Sequence, residues 1–140
     1  MAEENNGCEV LTELGIADLE KLIKAIDSDG DKHIVLKFFA DWCAPCKRVK
    51  EICDAGFLGL SDKNCIKIII DIDEGLDLYM FLKRKRMITG IPCSLAWQPQ
   101  TERDYETWYI PDDSVLSSDT NDTLAFFTRQ VGISRELSTK

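Results

Sequence analysis

The strongest constraint on this chain is a pair of cysteines, Cys43 and Cys46, placed shortly after the apolar segment His33–Phe39. Residues three positions apart lie on one face of a helical turn, about 4.5 Å apart along the axis, which is close enough for a reversible disulfide. If a strand delivers Cys43 to a helix N-terminus, the unpaired N–H groups and the helix dipole there favour its thiolate. Pro45 suits this first turn, because its missing N–H would have no helical partner. The segment therefore predicts a redox-active dithiol.

The overall composition is that of an ordinary globular protein. The chain has 140 residues, of which 44% are hydrophobic, and we expect one domain over residues 1–140 with flexible tails at 1–7 and 134–140. No segment approaches the ~20 apolar residues that a membrane helix needs, so we expect no membrane association. A net charge of −8 argues against nucleic acid as a partner. We expect a monomer.

The cysteine content indicates a reducing compartment. The acidic, polar start of the chain does not have the pattern of a signal peptide, and the six cysteines are irregularly spaced. We therefore expect a cytoplasmic location with mostly free thiols. Cys8 lies in a weakly structured region, and Cys53 and Cys65 are typical of small core residues. Cys93 is open to two interpretations, a buried strand residue or a thiol that approaches the dithiol.

Apolar periodicity alternates between the helical and the extended period along the chain. This pattern predicts an α/β fold, a three-layer α/β/α sandwich around a mixed central sheet of four or five strands. A last helix is expected to begin after Asp119 or Thr120 and to end at Gly132. The other predicted helices cover about 16–26, 43–55 and 74–87, and the predicted strands cover 33–39, 65–70, 92–97 and 105–110.

Residues 38–47, the βαβ pattern that follows them and the segment Gly90-Ile91-Pro92 together resemble the thioredoxin family over about residues 8–131. The resemblance implies a thioredoxin-like fold in which Pro92 is cis and faces the dithiol. It implies that Cys43 is the exposed nucleophile and that Cys46 resolves the mixed disulfide. Trp42, Ile91 and Pro92 would frame the groove that binds substrate. The implied activity is reduction of protein disulfides, with electrons from a separate thioredoxin-reductase-type donor and with no metal or organic cofactor.

Several positions depart from the family pattern. Lys37 stands where the family usually buries an aspartate, and Ile69 stands where it often has a lysine. A charged lysine at this position favours thiolates but cannot accept a proton as a carboxylate does. We expect Lys37, with Asp71 as its counter-charge, and Pro45 to tune the thiols. Two further replacements fall at a helix-kinking proline and at a glycine after the last strand, where this chain has Glu51 and Pro111.

Other functions remain open on the sequence alone. A Cys-x-x-Cys pair is also half of a zinc site, but the only histidine, His33, lies at the far end of its strand. The fold could instead serve as a binding module with weak redox activity, since the usual aspartate is absent. A third possibility is a disulfide oxidase or isomerase, which the lack of an export signal disfavours.

Overall fold

Two apolar segments form the centre of the sheet. In the computed structural model, which describes residues 9–139, strand β2 (His33–Phe39) and strand β3 (Cys65–Asp71) pair in parallel. Their register runs from His33 opposite Cys65 to Phe39 opposite Asp71. Both strands are covered on both faces, which explains their nearly continuous apolar sequence. The end of β2 is therefore a rigid platform for the residues that follow it.

Three shorter strands complete a mixed five-stranded sheet in the order β1-β3-β2-β4-β5. Strand β1 (Val10–Leu11) is parallel to β3, whereas β4 (Cys93–Trp97) is antiparallel to β2. Strand β5 (Asp113–Val115) is antiparallel to β4. The predicted α/β/α sandwich with a mixed central sheet is confirmed.

Helices cover both faces of the sheet. One apolar core lies between the sheet and helices α1 and α4, and a second lies between the sheet and helices α3 and α5. The two cores use alternate residues of β2, because successive strand side chains point to opposite faces. None of the helices within residues 9–139 has the length and apolar character needed to cross a membrane. The helices are α1 (Ile16–Asp29), α2 (Ala44–Arg48), α3 (Lys50–Gly59), α4 (Asp77–Arg84) and α5 (Thr120–Ser138).

The single helix predicted over 43–55 is wrong, because the helix is interrupted at Val49. This residue has φ −108° and ψ 6°, separates α2 from α3, and buries its side chain in the core between α3 and α5. The interruption occurs although Glu51 replaces the proline expected to kink this helix. The helix is thus interrupted at a buried valine and not at a proline.

The strand predicted over 105–110 is also wrong. Tyr105–Thr107 form a 3₁₀ turn, and the next two aromatic rings pack against helix α4 and form no strand pairing. The Trp108 ring stacks on Phe81 with centroids 5.6 Å apart, and the Tyr109 ring meets Phe81 edge-on. Pro111 consequently precedes β5, so it does not follow the last strand as we expected.

Helix α5 begins as expected but extends beyond its expected end. Asp119 caps it as predicted, since its Oδ1 accepts the N–H of Asp122 at 2.9 Å. The helix passes through Gly132 and ends at Ser138, because Ser134 and Leu137 are buried and hold the last turns against the protein. The expected flexible tail at 134–140 is therefore helical as far as Ser138.

Candidate active site

The cysteine pair lies at the start of helix α2, four residues after β2 ends. Cys43 is the N-cap residue in an extended conformation, and its sulfur accepts the backbone N–H of Cys46 at 3.2 Å. The two residues form a disulfide with Cα atoms 5.3 Å apart. Pro45 lies in the first turn of α2, where it has no N–H that competes for the sulfur. A sulfur at this position lies at the positive end of the helix dipole, which stabilises its thiolate and so favours thiol–disulfide exchange.

The two cysteines are equally shielded in the disulfide form. Cys43 and Cys46 are each only 4% exposed, so Cys43 is less accessible than the resemblance implied. The neighbouring Trp42 side chain, in contrast, is 67% exposed. What distinguishes Cys43 is its helix-capping position and not its exposed area.

The loop before β4 reaches the dithiol. The Ile91–Pro92 peptide bond is cis, the isomer that the resemblance implies. The Ile91 carbonyl oxygen lies 3.9 Å from Cys43 Sγ, and Ile91 packs against the small cluster that contains both cysteines. The structure therefore brings Ile91 and Pro92 to the same edge of the sheet as the cysteines.

Trp42 is held in place by the turn after β3. Its indole N–H donates to Asp73 Oδ2 at 2.9 Å, and the Asp73 backbone N–H donates to Asp71 Oδ1 at 2.9 Å. Asp73 was not among the residues predicted from the sequence. Its only sequence signal is its place in the acidic turn that follows the second buried strand.

Lys37 is buried beneath the active-site helices. It is 5% exposed and lines a cavity of about 180 Å³ together with Cys46 and Ile69. Its Nζ lies 5.4 Å from the centroid of the Phe39 ring. The ion pair predicted between Lys37 and Asp71 does not form within residues 9–139, because the Asp71 carboxylate caps the turn at Asp73 instead.

A second contact missed by the sequence analysis joins α2 to the segment after β5. Arg48 Nη1 donates to Ser118 Oγ at 3.0 Å. The antiparallel pairing of Ser94 with Val115 brings this segment to the edge of the sheet where Pro92 enters β4. Leu116, which is 40% exposed, therefore occupies the position we had expected for Pro111.

The other described cysteines are core residues. Cys53, Cys65 and Cys93 are unpaired and buried. Burial raises the pKa of Cys53, and it raises the pKa of Cys65 and of Cys93 to about 12. Cys93 is therefore a buried strand residue with little thiolate near neutral pH. Cys8 lies outside the described residues.

His33 is also structural. Its Nδ1 lies 3.1 Å from Gln130 Oε1, and its Nε2 lies 2.6 Å from Ser134 Oγ. Across residues 9–139, no three His, Cys, Asp or Glu side chains form a group that could hold a metal ion.

Comparison with known proteins supports the same interpretation of the fold and of the cysteine pair. The sequence model of the thioredoxin family matches residues 15–103, which is more than half of the chain. Thioredoxin of Echinococcus granulosus is 30% identical over 87 residues, covering 57% of this chain and 76% of that protein. Thioredoxin of Homo sapiens is 40% identical over 57 residues, covering 39% of this chain and 50% of that protein. The match thus spans half the length of this mammalian relative.

A solved structure of Fasciola hepatica thioredoxin has a similar fold. Its TM-score is 0.55 at 22% identity, and the similarity covers 87% of this chain and 98% of that one. At this identity the likeness concerns the fold alone, while the family match and the Cys43–Cys46 pair concern the chemistry. Taken together, the sequence match, the fold and the cysteine pair show that this chain belongs to the thioredoxin family.

Proposed function

We propose that this chain reduces disulfide bonds in protein substrates. The Cys43 thiolate attacks one sulfur of the substrate disulfide, forming a mixed disulfide and releasing the other substrate sulfur as a thiolate. The Cys46 thiolate then attacks Cys43 Sγ and releases the second substrate thiolate. Two electrons pass from the dithiol to the substrate, and the Cys43–Cys46 disulfide remains. The observation that carries this proposal is the Cys43 sulfur at the α2 N-terminus, where it accepts the Cys46 N–H.

The residues around Cys43 suit an extended substrate segment. Trp42, next to Cys43 in sequence, offers an exposed ring, and the Ile91 carbonyl oxygen lies 3.9 Å from the Cys43 sulfur. We assign Trp42, Ile91 and Pro92 to substrate binding, because a backbone docked along this loop would bring its disulfide to Cys43. Pro45 is assigned to tuning, since it leaves Cys46 as the N–H donor to the sulfur.

Each cycle leaves the protein oxidised, so it requires an electron donor. A separate dithiol reductase of the thioredoxin-reductase type would fill this role by the same exchange chemistry. The three unpaired cysteines Cys53, Cys65 and Cys93 support a reducing compartment such as the cytoplasm.

The direct test is turnover of a protein disulfide. We expect the wild-type chain to accelerate the reduction of insulin by dithiothreitol, and Cys43→Ser to abolish the acceleration. Cys65→Ala is the matched control, because it removes a buried thiol at the far end of β3 and should retain turnover. Equal rates for the wild type and Cys43→Ser would contradict the proposal and favour the binding module. Formation of disulfides in a reduced substrate faster than their reduction would favour the oxidase or isomerase.

A further inference from the structure

A buried lysine, Lys37, lies under the dithiol. Lys37 is 5% exposed, yet within residues 9–139 its ammonium makes no hydrogen bond or ion pair. The ammonium lies 5.4 Å from the centroid of the Phe39 ring, and such a cation–π contact compensates a charge less well than a carboxylate does. A buried lysine keeps its charge only where a negative group compensates it, so the groups around the Lys37 ammonium decide its state.

The carboxylates near the cavity do not supply it. Asp54 lines the cavity but binds Lys50 at 2.7 Å, and Asp41 lies on its exposed rim. The remaining charged group there is Lys47, which is exposed and of the same sign as Lys37. The cavity also contains one group that becomes negative only when the protein is reduced. That group is the thiol of Cys46, a lining residue that is 4% exposed.

We infer that the Cys46 thiolate of the reduced protein is the counter-charge of Lys37, and that this pairing directs the protein to labile disulfides, exposed or strained, in preference to resistant structural ones. The inference rests on the proposed function and names its substrate class. The same charge acts on Cys53, because Lys37 opposes the rise that burial causes in the pKa of the Cys53 thiol.

The pairing of Lys37 with the Cys46 thiolate shifts the redox equilibrium because it stabilises the reduced form of the protein. When a dithiol donor reduces the Cys43–Cys46 disulfide, two electrons break the S–S bond and the donor becomes a disulfide. Cys46 keeps its negative charge beside Lys37, so fewer than two protons are taken up near neutral pH. A stabilised reduced form gives up its electrons less readily, which makes the protein a weaker reductant. Exposed or strained disulfides accept electrons from such a donor, whereas structural disulfides of low potential resist it.

The test measures the equilibrium between the protein and dithiothreitol in Lys37 variants. Lys37→Met keeps the stem and removes the charge, and we expect it to shift the equilibrium toward the protein disulfide by about tenfold or more. Lys37→Arg restores a charge and should stay near the wild type. Lys67→Met is the matched control, since Lys67 is a buried lysine of β3 whose Nζ lies 2.9 Å from Asp62. Its equilibrium should not change.

A second measurement does not depend on whether Lys37→Met folds. In Cys43→Ser, which keeps Lys37, the thiolate absorbance of Cys46 is followed against pH. Its midpoint should lie well below ~8.5, the pKa of a free thiol. A Cys46 that titrates at or above that value, or an unchanged equilibrium in Lys37→Met, would overturn the inference. These outcomes leave the proposed function intact as long as the wild type still reduces insulin. A wild-type protein that does not reduce insulin would instead reject the proposed function itself.

Discussion

The indole N–H of Trp42 donates to Asp73 Oδ2 at 2.9 Å, which ties the residue before the nucleophile to the turn after β3. This bond fixes a ring that is 67% exposed and would otherwise sample several rotamers. It links the two parallel strands at the centre of the sheet to the surface where we propose that substrates bind.

Removing this bond should weaken substrate binding more than chemistry. We expect Asp73→Ala to raise KM for insulin about threefold to tenfold, as loss of one hydrogen bond implies, with little change in kcat. A small disulfide reagent that does not reach the Trp42 ring should react at the wild-type rate. Equal losses with the protein substrate and the small reagent would show that Asp73 acts on the cysteines instead.

Cys43 should be the most reactive thiol of the reduced protein. Its sulfur lies at a helix N-terminus, whereas burial raises the pKa of Cys65 and of Cys93 to about 12. With a limiting amount of iodoacetamide near pH 7, peptide mass spectrometry should find Cys43 alkylated first. Preferential labelling of Cys8, or equal labelling of several thiols, would argue against a tuned nucleophile.

Stability should decline as the pH falls through the range in which His33 titrates in the unfolded chain. Burial lowers the pKa of His33 to about 4, although its bond to Gln130 opposes the shift. Between about 6.5 and 4 the unfolded chain therefore binds a proton that the folded chain does not. The free energy of unfolding should fall by up to about 3 kcal/mol over this interval as the pH decreases.

The control for this effect is His33→Gln, which cannot titrate. Urea denaturation should find it less stable than the wild type at pH 7, but without the decline that His33 causes between pH 6.5 and 4. The same decline in both proteins would assign the pH dependence to other groups.

The segment between β4 and β5 should depend on a buried ion pair. Arg103 Nε lies 2.7 Å from Asp27 Oδ2, and both side chains are about 5% exposed or less. Burial would raise the pKa of Asp27, but hydrogen bonds from Arg103, from the Gln100 N–H and from Tyr105 outweigh it and lower the pKa. Arg103→Met should reduce the free energy of unfolding by about 3–5 kcal/mol, because it leaves a buried carboxylate unpaired.

The double variant Asp27→Asn, Arg103→Met tests this explanation. It removes both charges and should recover part of the loss in urea denaturation. Turnover of insulin should be unchanged in both variants while they are folded, since the pair lies at the end of β4 far from Cys43. A double variant less stable than Arg103→Met would contradict the role of the unpaired charge.

The central strands and the dithiol could be predicted because their signals are local. Strand β2 was expected over residues 33–39 and has those bounds, since a short apolar run leaves few alternatives. The position of Cys43 and Cys46 at a helix start followed from their spacing and from the strand before them. Local chemistry was sufficient for both.

Most of the remaining features depend on partners distant in sequence. Residues 105–110 are rich in aromatic side chains, as strands often are. The rings of Trp108 and Tyr109 nevertheless pack against Phe81 of helix α4, and within residues 9–139 the segment pairs with no strand. Helix α5 passes Gly132 because Ser134 bonds to His33, which lies 101 residues earlier. From the sequence, the Asp71 carboxylate could form an ion pair with Lys37 or accept a backbone N–H in its own turn. The three-dimensional structure shows that it accepts the Asp73 N–H.

Trapping the mixed disulfide tests the central claim most directly. Cys46→Ser removes the resolving sulfur, so reaction with an excess of a disulfide-bonded protein should leave one substrate molecule attached through Cys43. Mass spectrometry of the adduct before and after reduction identifies the bond. We predict a single reducible adduct on Cys43 that is absent from the double variant Cys43→Ser, Cys46→Ser. An adduct on another cysteine, or none on Cys43, would contradict the account.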